Sequence, residues 1–274
     1  MGANEHDLPS PMPSIPDTTR PNSARMYDYY LGGAAHFAVD REAADDALAV
    51  LPQSAVYARA NRAFLGRAVR FLLDEGVDQF LDLGSGIPTV GNVHEIAHRV
   101  NPDAKVSYVD HEPVAVAHAQ RMLAGLPNVS ITQADVRDPE GVLRSPGVAG
   151  MLDLSRPVAV LAIAILPFVP DDDEVLDLVS RYREASAPGS WLAISHISQV
   201  SATDEQVRVA HEVMARTPTP VLWRHPESVA RLFTGYRLVE PGLVLSPLWR
   251  PDRPISHAEA AEANAYGGVG RLER

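Results

Sequence analysis

The sequence predicts an α/β fold: a mostly parallel sheet with helices on both faces, preceded by a helical segment. Three observations carry that prediction. From Val77 onward, short apolar runs alternate with helix-length stretches, the pattern of a parallel sheet with crossover helices. The first run, Phe80-Leu81-Asp82-Leu83, passes into a Gly-x-Gly turn, Gly84-Ser85-Gly86. The second, Val106-Ser107-Tyr108-Val109, ends in an acid, Asp110. A Gly-rich first turn followed by an acid closing the second strand is how a doubly wound sheet opens a nucleotide site at its strand ends.

The elements follow in order. Residues 1–21 carry many Pro, Ser and Asp and little apolar content, which predicts a disordered tail. Residues 22–76 are expected to form a helical cap. Within it, 40–51 reads as one helix stopped by Pro52, and 54–75 as a longer one. Val56, Ala60, Phe64, Ala68 and Leu72 recur every four residues; Leu65, Val69 and Leu73 widen the stripe, and Gly76 ends it. Strands are expected at 79–83, 105–110, 129–133, 158–164 and 191–195, with helices near 90–100, 113–124, 172–187 and 203–216. Thr203-Asp204-Glu205-Gln206 has the form of a capping box, and Pro188-Gly189 is a stop. Pro226 suits the first turn of a short helix ending near Phe233. The apolar runs at 236–240, 243–248 and 266–270 supply the last strands, so that 77–274 forms one Rossmann-like domain.

Bulk properties narrow the function classes. The chain has no cysteine, which excludes disulfides and thiolate metal sites and fits a cytoplasmic protein. No apolar run is long enough to span a bilayer, and the first residues lack the order of a signal peptide. A net charge of -11 argues against broad binding to nucleic acid or anionic membrane, which requires a positive footprint. The acidic balance points to a small molecule, or to a neutral or basic protein, as partner.

The strand ends define a candidate cofactor site. Gly84 and Gly86 permit positive φ and close backbone approach to a ligand, Ser85 lies between them, and Asp110 can accept from both hydroxyls of a ribose. A dinucleotide fingerprint wants a third small residue to pack around a pyrophosphate, but Thr89 occupies that place and Pro88 stiffens the turn. S-adenosylmethionine carries no phosphate and fits better. Asp135 and Val136, at the end of the third strand, match an acid and a backbone donor for adenine; alone, Asp135 would read as a turn or cap residue before Pro139.

The segment Pro21-Asn22-Ser23-Ala24-Arg25-Met26-Tyr27-Asp28-Tyr29-Tyr30-Leu31-Gly32-Gly33 resembles the opening of a family of actinobacterial S-adenosylmethionine-dependent methyltransferases once catalogued as a domain of unknown function. Asp40-Arg41-Glu42-Ala43-Ala44, Ala58-Arg59-Ala60-Asn61-Arg62-Ala63-Phe64-Leu65, the stretch from Asp82 to Thr89, Tyr108-Val109-Asp110, Val239-Glu240-Pro241-Gly242 and Tyr266-Gly267-Gly268-Val269-Gly270-Arg271 continue the likeness. The resemblance implies a class I methyltransferase fold, with a mostly parallel seven-stranded sheet flanked by helices and an N-terminal helical cap. It implies S-adenosyl-L-methionine as cofactor and S-adenosyl-L-homocysteine as product. Tyr27, Tyr30, Gly32 and Gly33 then suit a lid over a flat ligand, or a packed helix with a Gly stop. Arg59 either faces the methionine carboxylate or is a solvated helix-face residue. Family members often carry histidine where this chain has Leu166-Pro167-Phe168, so no general base is inherited there.

Other assignments remain open at this point. His111 is expected at the adenine site. His196, just past the fifth strand, is a candidate base, or an ordinary polar residue at a strand end. His94-Glu95-Ile96-Ala97-His98 matches the zinc-hydrolase pattern H-E-x-x-H, but Asn101 and Ala104 break its longer form. Val93, Ile96, Ala97 and Val100 are expected to form that helix's core stripe, with the His pair on its flank and no metal bound. The alternatives to methyl transfer are a non-catalytic S-adenosylmethionine-binding regulator, a zinc metallohydrolase using His94 and His98, and an NAD-dependent oxidoreductase, disfavoured by the turn chemistry.

Overall fold

The computed structural model describes residues 17–88, 91–218 and 220–273. Thr89, which bears on the dinucleotide question, and residues 1–16 of the expected tail lie outside the described residues.

Three helices come first: α1 (Ser23–Tyr30), α2 (Ala38–Val50) and α3 (Gln53–Asp74). The alternating part follows as β1 (Gln79–Leu83), α4 (Val93–Val100), β2 (Lys105–Asp110), α5 (Pro113–Leu123), β3 (Val129–Gln133), α6 (Pro139–Arg144), α7 (Pro146–Ala149), β4 (Ala159–Ile163), α8 (Asp172–Glu184) and β5 (Trp191–Ile197). After β5 come α9 (Asp204–Met214), α10 (Pro226–Arg231), β6 (Tyr236–Leu238), β7 (Val244–Leu245), α11 (His257–Ala261) and β8 (Ala265–Leu272).

The sheet runs β3-β2-β1-β4-β5-β8-β6, and the two-residue β7 joins β8 off that path. Strands β1 to β5 pair in parallel, and β8 runs antiparallel to β5, β6 and β7. The last three apolar runs all form strands: 236–240 and 266–270 enter the main path and 243–248 supplies β7, one strand more than the seven that the resemblance implies. The order reverses between β1 and β4, so the ends of β1, β2 and β4 open a crevice where ligands of such sheets bind.

Alternation along each strand assigns the faces. Phe80, Val106, Leu161 and Trp191 point to one side, where α3 and α4 pack with Phe64, Leu72, Val93 and Ala97. Leu81, Val109, Val160 and Leu192 point to the other, against Val175 and Val179 of α8 and Leu232. Asp82 and Asp110 have the parity of Phe80 and Val106, which directs both carboxylates to the α3 side. A Cβ on Gly267 of β8 would lie 2.9 Å from the Phe64 ring, so glycine there lets α3 lie close on the sheet.

The helices before the sheet divide by role. The C-terminal half of α3 belongs to the sheet's helix layer. Helices α1 and α2 instead pack on α9 through Met26, Ala43, Ala44, Ala47 and Val213, over the strand ends. Residues leading into α1 are tied down. The Arg25 side chain, 1% exposed, donates from Nη2 to the carbonyls of Asp17 and Arg20, and pairs through Nε with Asp40 at 2.8 Å and through Nη1 with Glu112 at 3.0 Å. Glu112 caps α5, so this one guanidinium joins α1, α2 and the loop after β2. Among the described residues, no helix is long and apolar enough to cross a membrane.

Candidate functional site

A single cavity spans the strand ends, roofed by α1, α2 and α9 and floored by the turns after β1, β2, β4 and β5. The β1 turn is built by its glycines. Gly84 has φ +67, and a Cβ on it would meet Ile165 at 2.3 Å. Its N–H donates to the Val109 carbonyl at 2.8 Å, and that of Ser85 donates to the same oxygen at 3.1 Å. Asp110, 5% exposed, holds the rest: one carboxylate oxygen accepts from Gly86 N–H at 2.7 Å, the other from Glu112 N–H at 2.8 Å. Burial raises the Asp110 pKa from its ordinary range, and these backbone donors oppose the rise.

Along the α3 wall, Ser54, Tyr57, Asn61, Arg62 and Leu65 face the cavity, one helical stripe. Several polar groups here are buried without partners. Among the described residues, neither amide atom of Asn61 nor Arg62 Nε has a hydrogen bond. The Tyr57 hydroxyl lies near the Asn61 amide without reaching good geometry, and burial pushes its pKa up. Asp82, 6% exposed, accepts no hydrogen bond from the described residues. Desolvation pushes its pKa up to about 7; the Arg62 charge pulls it down and the Asp110 charge adds to the rise. Unpaired buried groups are costly, and their clustering on one cavity wall marks a place where a ligand supplies the missing partners.

The opposite end is apolar. Ile163, Phe168 and Ile197 come from the ends of β4 and β5 and the turn after β4, Met214 from α9, and Val221 and Trp223 from the segment after it. Ala164 sits there with φ 58, a strained conformation for a residue with a Cβ; its N–H donates to the Ser195 carbonyl and hydroxyl, both at 3.1 Å. Asn264, also left-handed at φ 45, accepts from the N–H groups of Val200, Ser201 and Ala202 at 2.9–3.0 Å and so shapes the loop after β5.

Of the residues expected from sequence, Tyr27, Tyr30, Asp82, Gly84, Ser85, Gly86, Asp110 and His111 line this cavity. Tyr27 donates to the Ala58 carbonyl at 2.9 Å, which fixes its ring against α3, and burial pushes its pKa up to about 12. The others are placed elsewhere. Gly32 and Gly33 make the turn after α1: a Cβ on Gly33 would lie 1.9 Å from the Asp28 carboxylate, which holds Ala35 N–H at 2.8 Å and His36 at 3.0 Å. Arg59 is exposed, off the lining stripe; Arg62 is the guanidinium that reaches the cavity. Asp135 is exposed and paired with Arg137 at 2.6 Å, an interaction that lowers its pKa. Val136 is buried in the core, and its carbonyl accepts from Tyr182 at 2.9 Å.

His196 is fully buried on the α8 side of the sheet, away from Asp82. Its Nδ1 bonds the Ile197 carbonyl at 2.8 Å, and its Nε2 lies 3.1 Å from Arg224 Nη1. Burial pushes its pKa down to about 4, and the Arg224 charge adds to the fall. It does not line the cavity. His94 and His98 are also used internally. His94 is 7% exposed and bonds the Tyr108 hydroxyl at 2.8 Å; His98 bonds the Ala104 carbonyl at 2.9 Å. His94 is therefore part of the buried face of α4, not its flank, while Val100, expected in the stripe, is 60% exposed. Among the described residues, no group of three or more His, Cys, Asp or Glu could hold a metal ion.

The arrangement thus offers acids, a cation and an amide at one end and an apolar chamber at the other. Comparison with known proteins points the same way. The family described as S-adenosyl methyltransferase matches residues 10–273. The chain is similar to the crystal structure of a candidate methyltransferase from Thermobifida fusca YX, at 40% identity and TM-score 0.88 over 94% of this chain and 97% of that one. It is similar to a DUF574 family protein from Streptomyces avermitilis MA-4680, at 38% identity and TM-score 0.87 over 93% and 98%. A carbon methyltransferase, CurJ, shares the fold at 12% identity and TM-score 0.52, over 84% of this chain and 61% of that one. No curated protein sequence matches the chain.

Proposed function

The chain belongs to the S-adenosyl methyltransferase family, and from that premise we propose that it moves a methyl group to a small-molecule acceptor held at the apolar end of the cavity. It is an S-adenosylmethionine-dependent methyltransferase with the class I fold. The observation that carries the reading is the set of unpartnered buried atoms on the cavity wall, both amide atoms of Asn61 and Arg62 Nε, beside buried Asp82 and the turn that Asp110 holds.

These residues fit the cofactor. Asp82, lacking donors, receives the methionine ammonium. Arg62 and the Asn61 amide receive the carboxylate, while Arg59 takes the solvated helix-face alternative. Asp110 keeps free lone pairs for the ribose hydroxyls while holding Gly86. His111 and Ile87 border the base; Asp135 and Val136 stay outside. Tyr27 and Tyr30 close the roof as part of an N-terminal cap made by α1, α2 and the cavity-facing half of α3. When bound, the cofactor supplies a methyl group activated by its sulfonium, so that alignment of an acceptor lone pair with the breaking C–S bond provides most of the acceleration. The protein's own work is to orient both partners and to exclude water with the cap. No proton is routed through His196, which stands behind the sheet.

The test is calorimetric titration with S-adenosylmethionine, S-adenosylhomocysteine and NAD in parallel. The expected result is heat from the first two and none from NAD. A folded protein that binds neither sulfur ligand overturns the reading of the site.

A further inference from the structure

The apolar end of the cavity differs from the cofactor end in charge. The ionisable side chains that line the cavity, Arg62, Asp82, Asp110, His111 and the tyrosines 27, 30 and 57, all come from α1, α3 and the ends of β1 and β2. The β4, β5 and α9 side and the segment after it contribute none. Of the amides beside it, Asn264 is spent on three backbone N–H groups, and Gln53 of α3 donates to Glu262 while its Oε1 has no partner among the described residues. Burial pushes the pKa of Tyr27, Tyr30 and Tyr57 up, so their hydroxyls stay neutral.

Its walls are also fixed in advance. Leu222 N–H donates to the Pro167 carbonyl at 2.8 Å, and Arg224 N–H to the Ile197 carbonyl at 3.3 Å, which staples the Trp223 segment to the turns after β4 and β5. The Arg224 side chain, buried, donates to the carbonyls of Leu166 at 3.1 Å and Val169 at 2.6 Å and pairs with Asp172 at 2.7 Å. His211 meets the Trp223 ring edge-on at 6.4 Å between centroids. Trp223 and Phe168 are thus aromatic walls on a braced frame.

We infer that the methyl acceptor is an uncharged aromatic small molecule, seated between Trp223 and Phe168. The inference rests on the proposed cofactor site, since it assigns the remainder of the same cavity. An anionic or cationic acceptor would leave its charge in this chamber without a counter-ion, at a cost that neutral rings avoid. A flat ring gains stacking or edge contact from two aromatic walls already in place.

The experiment titrates the full chain first with S-adenosylhomocysteine, then the resulting complex with β-naphthol, β-naphthoate and β-naphthylmethylamine. Naphthol should bind, and each charged analogue should bind at least about tenfold more weakly. Trp223→Ala should weaken naphthol roughly tenfold while leaving S-adenosylhomocysteine affinity unchanged, and Trp223→Phe should restore it. Phe168→Ala provides the same readout should Trp223→Ala fold poorly. The inference is overturned if naphthol does not bind, if either charged analogue binds as well, or if both alanine variants leave naphthol affinity untouched. If S-adenosylhomocysteine fails to bind while naphthol is still preferred over its charged analogues, the cofactor reading falls and the neutral aromatic chamber stands.

Discussion

The surroundings of the cavity's two ends differ in how most of their buried polar groups are satisfied. At the polar end, the Asn61 amide and Arg62 Nε are buried and unpartnered among the described residues, next to buried Asp82. Behind the apolar end, Arg224, His196 and Asn264 are just as buried, but each hydrogen-bonds within the protein; His211 Nε2, beside Trp223, is the exception there. The difference separates two kinds of investment. Unsatisfied groups cost stability and wait for a ligand, whereas satisfied ones fix a wall before any ligand arrives.

Substitutions should split along that line. The largest effect is expected from Arg224→Met, which leaves the carbonyls of Leu166 and Val169 and the His196 ring without their donor. It should cost about 3 kcal/mol or more, read from urea unfolding at unchanged slope. Arg224→Lys should recover only part, because an ammonium cannot reproduce the fork. A loss as large from Asn61→Leu would break the contrast between the two ends. The expected sign there is opposite: removing an orphaned amide at a cavity wall should stabilise the ligand-free protein by about 1 kcal/mol. The same change should weaken S-adenosylhomocysteine roughly tenfold, about 1.4 kcal/mol.

Titration sharpens the comparison. Asp82 has a folded pKa raised to about 7 by burial, so its contribution is intact below the ordinary carboxylate range and is lost as pH rises through about 7. His196 has a folded pKa lowered to about 4, so its contribution is intact above the ordinary imidazole range and is lost as pH falls towards 4. Urea midpoints measured across pH should show Asp82→Asn gaining stability on the alkaline side and none in acid. His196→Gln should flatten the acid limb. Parallel pH profiles for both variants would remove the distinction. The smallest effect belongs to Asp135→Asn: its exposed pair with Arg137 is worth less than about 1 kcal/mol, and S-adenosylhomocysteine affinity should not move.

Much of this was legible in the chain. Strands 79–83, 105–110 and 129–133 appear with the expected bounds, because each is a short apolar-rich run ended by a turn or an acid. The turn at Gly84 and the acid at Asp110 led directly to the cavity. The expected residues that lie off the cavity differ in side-chain direction and local pairing. Arg59 and Arg62 are equally basic, and only the stripe through Ser54, Tyr57, Asn61 and Leu65 tells them apart, a signal the sequence contained. Asp135 is taken by Arg137 two residues on, and Gly33 by the Asp28 carboxylate; such local pairings compete with a ligand without changing the motif. The position of β8 is a matter of strand order, which no local periodicity encodes. Helices α6 and α7, lying between residues 139 and 149, are too short to produce a periodic signal.

The place of β8 carries a consequence for the growing chain. It is the last strand in sequence, yet it lies between β5 and β6 and also holds β7. During synthesis, β6 and β7 leave the ribosome before the strand they pair with exists, and the edge of β5 stays open until Ala265–Leu272 arrives. A nascent chain stopped short of residue 265 therefore lacks one strand by count and three by pairing, with unpaired edges exposed to other chains.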